Sequence, residues 1–230
     1  MLCVAGMPNV VDSDAMVSKA EHQFNYRPCS YIDESWITEN QPWLLNLQGW
    51  REQAAINQWC IENWALSPIT DHVFNHPYSS LVLLPVEATN RLLLMIGGIM
   101  HCHAMRQVVL KQPKQCLNQI FGVDETRFFI QQGPMMISNW PTGWQKALPE
   151  SFDEKSFENT ARELGYLWVR FLLEKSPSEL VQRWQFKVNR QLTLTDLRTD
   201  WLDDAHRDLA YRLIKKIAKQ VIPQWFHLLK

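Results

Sequence analysis

The nine residues LLLMIGGIM, Leu92 to Met100, carry no charge, and only two glycines interrupt their apolar side chains. Within the wider span 87–111, Leu92, Met95, Ile96, Ile99 and His103 fall on one helical face, with Leu93, Met100, Ala104 and Val108 on a neighbouring one. A helix apolar over so wide an arc must be covered on several sides, so it belongs at the centre of a fold. The run is about half of the ~20 residues that span a bilayer, which makes protein the expected cover. Gly97 and Gly98 cost roughly 1 kcal/mol each relative to alanine inside a helix. A second helix packed closely over them accounts for their presence.

The rest of the chain supplies such cover. Of 230 residues, 46% are hydrophobic and 20% charged, with a net charge of −1, the profile of a globular protein with a sizeable core. Helical periodicity runs from Pro42 to about residue 66 and again from 151 to 176, where Phe157, Ala161, Leu164, Trp168 and Leu172 recur. Ser151 and Glu154 stand at capping-box spacing, and Ser176 followed by Pro177 repeats the start signal. Shorter helices are expected up to Phe121 and over DETRFFIQQG, and a C-terminal helix from about 199 or 203 to Pro223. Trp184, Phe186, Val188, Arg190, Leu192 and Leu194 alternate at period two, which predicts a strand whose one plausible partner is SSLVLL, 79–84. The expected fold is mainly α, a compact helical domain with at most a small two-stranded β element. Residues 1–22, mixing Gly, Pro, Ser and Asp without a period, read as a flexible extension of a single domain over 23–230.

Adjacent His101, Cys102 and His103 raise the question of a metal site. On a helix, residues two apart point about 200° from each other, so the two histidines cannot share one ion. No H-E-x-x-H completes a ligand set, and although His72 and His76 stand at H-x-x-x-H spacing, Pro77 argues against a helix that would align them. The five cysteines, Cys3, Cys29, Cys60, Cys102 and Cys116, form no C-x-x-C pair. G-x-S-x-G, phosphate-loop and dinucleotide fingerprints are missing as well. The sequence therefore predicts no catalytic residue, no metal and no cofactor. With no basic, signal-like N-terminus, residence in the cytosol is expected.

Two stretches suit binding to another protein. Trp140 and Trp144 flank Pro-Thr-Gly in a non-helical loop and offer an aromatic anchor. Arg212, Lys215, Lys216 and Lys219 form an i, i+3, i+4, i+7 basic strip on the last helix. Charge is uneven along the chain: residues 1–150 hold 9 basic and 13 acidic groups, and residues 151–230 hold 14 and 11. An alternative use of the strip is binding to an anionic membrane or nucleic acid, but a pI near 6.7 and so small a cluster favour a protein partner.

NWPTGWQKALP (Asn139 to Pro149) and LIKKIAKQVIPQWFHLLK (Leu213 to Lys230) resemble the SctK family, also called YscK or PscK. Ala104 to Leu110 matches a helix end of that pattern, and Lys219 to Pro223 its K-Q-V-x-P close. The resemblance extends from about Phe24 to Lys230; within it His101 matches the family, whereas Cys102 and His103 are particular to this chain. It implies a helical, non-enzymatic accessory component of the type III secretion sorting platform. Such a component links the cytoplasmic domain of the inner-membrane ring protein SctD to the pod protein SctQ. Through SctQ the link reaches the SctL stalk and the SctN ATPase.

Overall fold

A computed structural model describes residues 13–37, 49–149, 153–194 and 200–229. Among these the chain is helical and contains no strand. The long helices are α1 (Ser13–Tyr26), α2 (Trp50–Asn63), α4 (Val86–Met100), α6 (Lys111–Phe121), α7 (Val123–Gln131), α8 (Glu154–Leu173), α9 (Ser178–Gln185) and α11 (Arg207–Val221). Single-turn helices α3 (Asp71–Phe74), α5 (Cys102–Met105) and α10 (Arg190–Thr193) join them, together with 3-10 turns, the last spanning Pro223–Leu229. No helix among the described residues is long and apolar enough to cross a membrane.

The apolar run from Leu92 to Met100 is buried throughout, as the central α4. Its two glycines serve different neighbours. A methyl group on Gly97 would overlap the Ala161 carbonyl of α8, and one on Gly165 of α8 would overlap the Leu93 carbonyl of α4. Gly98 instead faces the rings of Phe121 and Phe129, from α6 and α7. The two central helices thus meet backbone to backbone, with one glycine contributed by each, and α11 packs on both through Ala210, Leu213, Ile214 and Ile217.

Four expectations are corrected. The extension read as flexible to residue 22 is helical from Ser13 on, because Val17, Ala20 and Phe24 share a face that packs on the core; residues 1–12 lie outside the described residues. The predicted strand over 184–194 is instead the end of α9, a turn and α10, and its proposed partner forms a 3-10 turn, Ser79–Leu83. The alternation misleads because Lys187, a polar letter in it, is only 3% exposed, like its apolar neighbours. The helix expected over 87–111 stops at Met100, resumes for one turn and ends at Met105. Finally, Ser176 does not cap α9, since its hydroxyl meets His76 Nδ1 at 3.2 Å. Asp153 caps α8 by accepting from Ser156 N at 2.8 Å, while Ser151 and residues 42–48, where the sequence predicts a helix to begin, fall outside the described residues.

Arg183 ties the periphery to this centre. It is 1% exposed and has no carboxylate beside it among the described residues. Its Nη1 donates to the carbonyls of Phe24 (3.3 Å) and Asn25 (3.0 Å) and to the Tyr31 hydroxyl (3.1 Å), and its Nη2 to those of Leu66 (3.1 Å) and Ser67 (3.0 Å). One guanidinium thereby joins the end of α1, the turn after it and the loop after α2 to α9.

The contact between α4 and α8 gives a signed prediction. In an unobstructed helix, Gly→Ala stabilises by about 0.5–1 kcal/mol. Gly97→Ala and Gly165→Ala should each destabilise by about 1–3 kcal/mol, since the backbones have to separate. Urea denaturation of the two variants checks the sign.

Candidate partner-binding surfaces

His101, Cys102 and His103 do not converge. His101 closes α4, its Nδ1–H donating to Ala147 O at 2.9 Å while Lys146 N donates to Met100 O at 2.8 Å. The 139–149 loop therefore satisfies two groups at the helix end, which explains why the helix expected to run on breaks there. His101 stacks edge-on against Phe157 at 5.0 Å, whereas His103 meets Trp140 at 5.7 Å, and the Cys102 side chain is buried. Burial holds His101 down to about 4, well below the usual imidazole value. His72 bonds Thr70 Oγ1 and His76 lies by Pro77 O, so this pair does not come together either. Among the described residues no three His, Cys, Asp or Glu side chains are grouped to hold an ion.

The tryptophans of the 139–149 loop part company. Trp144 is fully buried, its ring 4.5 Å from Trp168 and its Nε1–H donating to Trp201 O at 3.2 Å. It anchors the loop to the core and has no surface left to offer a partner, contrary to the aromatic-anchor reading. Gly143 makes the plunge possible, with φ of +82° and no room for a Cβ beside Trp201. Trp140 is half-buried, and its Nε1–H donates to Pro134 O at 3.3 Å.

The basic strip is graded. Arg212 and Lys219 are exposed and meet no carboxylate among the described residues. Half-buried Lys215 stands 5.4 Å over the Tyr211 ring, and Lys216 Nζ donates to Met136 O at 2.9 Å. Trp140 and Lys216 thus bond to carbonyls two residues apart, on either side of Met135, which is 75% exposed. Trp140 and Lys216, some seventy residues apart in sequence, therefore both border the turn that carries exposed Met135. Sequence reasoning missed Met135; the signal was the Gly-Pro turn that lifts Met-Met off the end of α7.

Residues 18–230 match the sequence profile of the family described as YOP proteins translocation protein K (YscK). The Yop proteins translocation proteins K of Yersinia enterocolitica and of Yersinia pseudotuberculosis serotype I (strain IP32953) are each 30% identical to it over 210 residues, covering 90% of this chain and 96% of theirs. The structure of the cytoplasmic domain of the type III secretion sorting platform protein PscK from P. aeruginosa is similar, with a TM-score of 0.63 and 26% identity over 90% of this chain and 97% of that one.

The buried imidazole sets an acid limit. Its folded value near 4 lies below the unfolded value near 6.5, so the unfolded chain takes up the proton first. The stability it contributes is complete above about pH 6.5 and falls away as pH drops toward 4, by about 3 kcal/mol at most. His101→Gln should cost stability at pH 7 but flatten the decline between pH 6.5 and 4, measured by denaturation at several pH values. A parallel decline in both chains would contradict the assignment.

Proposed function

The chain belongs to the YscK family, and from that premise we propose that it is a non-enzymatic cytoplasmic adaptor of the type III secretion sorting platform. It links the cytoplasmic domain of the ring protein SctD to the pod protein SctQ, and indirectly to the SctL stalk and the SctN ATPase. The observation that carries this reading is the match to the PscK cytoplasmic domain over nearly the full length of both chains. A linker must hold two partners at a set separation, and helices packed as closely as α4 and α8 supply a body that resists bending.

The surface around Met135 suits one of these partners. An exposed methionine and a half-buried indole give apolar contact, and Arg212, Lys215, Lys216 and Lys219 give orientation toward an acidic face. Four basic groups on a chain with a pI near 6.7 are a small cluster for gripping a membrane or nucleic acid.

Size-exclusion chromatography with light scattering tests the linker role. The chain, the SctD cytoplasmic domain and SctQ should elute as one species, and SctD and SctQ should elute apart when the chain is left out. Competition between the two for the chain would contradict the proposal. Reversing the exposed charges, Arg212→Glu with Lys219→Glu, should leave the melting temperature unchanged and slow association with one partner about 10-fold at low salt. The difference should shrink as salt shortens the screening length. Equal rates for both chains at low salt would remove the strip from the interface.

A further inference from the structure

A cavity of about 580 Å³ lies between α1, the Leu83–Pro85 segment and the C-terminal 3-10 turn, and none of Met135, Trp140 and the basic strip lines it. Its volume falls in the roughly 300–1,000 Å³ range of binding pockets. Phe24, Leu83, Pro85, Trp225 and Leu228 make much of the wall. Lys19, Lys187 and His227 also line it, and among the described residues no Asp or Glu does.

Lys187 is the unusual member. Its side chain is 3% exposed, and its Nζ donates to Val82 O at 2.5 Å and Leu84 O at 2.8 Å, with the Phe24 ring at 4.8 Å. An ammonium carries three N–H donors, so two carbonyls leave one unspent. Arg183, one helical turn earlier, is also buried among carbonyls, and neither cation meets a carboxylate among the described residues. Desolvated positive charge without an anion is costly: burial pushes Lys187 down to about 7, so near neutral pH its amine is only partly charged, and a nearby anion would favour the ammonium form. His227 adds an unpaired acceptor: its Nδ1–H donates to Gln224 O at 3.0 Å, and its buried Nε2 has no partner among the described residues.

We infer that this cavity docks an apolar side chain flanked by a carboxylate, presented by the adaptor's other protein partner. The inference rests on the adaptor reading, which requires two binding surfaces and has so far located one. An apolar anchor would bury itself against Phe24, Trp225 and Leu228, while its acidic neighbour meets Lys19 at the mouth and the Lys187 charge within. Charge complementarity selects this occupant, because Lys19 is positive at the mouth and an acidic neighbour would favour the ammonium form of Lys187, whereas a basic segment would be repelled by the first and oppose the second.

Two wall variants test it by interferometry with the SctD cytoplasmic domain and with SctQ. Ala20→Trp projects bulk from α1 into the cavity, and Lys19→Glu reverses the charge at its mouth. Each variant should lose at least about 10-fold in affinity for the same one partner and keep its affinity for the other, with circular dichroism and melting temperature unchanged. If Ala20→Trp does not fold, Trp225→Ala replaces it. Wild-type affinity of either variant for both partners overturns the inference and leaves the adaptor reading standing; in particular, loss with Ala20→Trp alone shows an occupant that is not acidic. If the wild-type chain binds neither partner, the adaptor reading fails first, and the inference falls with it.

Discussion

Helices α4 and α8 can lie as close as they do only because each gives the other a glycine. Gly97 sits under the Ala161 carbonyl and Gly165 under the Leu93 carbonyl, so the two backbones are in direct contact. At that separation side chains cannot slide between them, and the register of one helix on the other is fixed. Everything else is placed from this pair. Gly98 admits Phe121 and Phe129, which seats α6 and α7, and α11 lies across both central helices. The 139–149 loop closes the end of α4 through His101 and Lys146 and is pinned in turn by Trp144.

The outer part is held by a different kind of force. Two buried cations on or just after α9, Arg183 and Lys187, collect carbonyl oxygens from α1, from the loop after α2 and from the Val82–Leu84 segment. These bonds join parts of the chain more than a hundred residues apart and satisfy carbonyls in the last turn of α1 and in segments between the long helices. Neither cation meets a carboxylate among the described residues, and burial holds Lys187 down to about 7, so this side of the fold is held firmly and yet is electrostatically incomplete.

What could be read from the sequence was whatever depends on apolar periodicity. The central helix and its need for a partner over Gly97 follow from Leu92, Met95, Ile96 and Ile99, and α8 and α11 follow in the same way. What escaped depends on partners distant in the chain. His101 ends α4 because Ala147 reaches it, 46 residues on. Lys187 reads as a solvent-facing letter, and that helps turn the end of α9 into an apparent strand; its burial, like that of Arg183, is intelligible only once the carbonyls around it are known. Trp140 and Trp144 look equivalent as letters, but Gly143, at positive φ, sends the second indole into the core and leaves the first half-covered. Met135 gave no signal of its own, being one methionine of a pair behind a turn.

A stiff body with two separate docking surfaces is the central claim, and hydrogen–deuterium exchange of the full chain, free and with each partner in turn, addresses it most directly. The account predicts that the α4 and α8 amides exchange slowest and do not change when either partner binds. One partner should protect Gly133–Met136 with residues 212–219, and the other residues 16–23 with 223–228. Overlapping footprints, or altered exchange in α4 and α8 on binding, would contradict it.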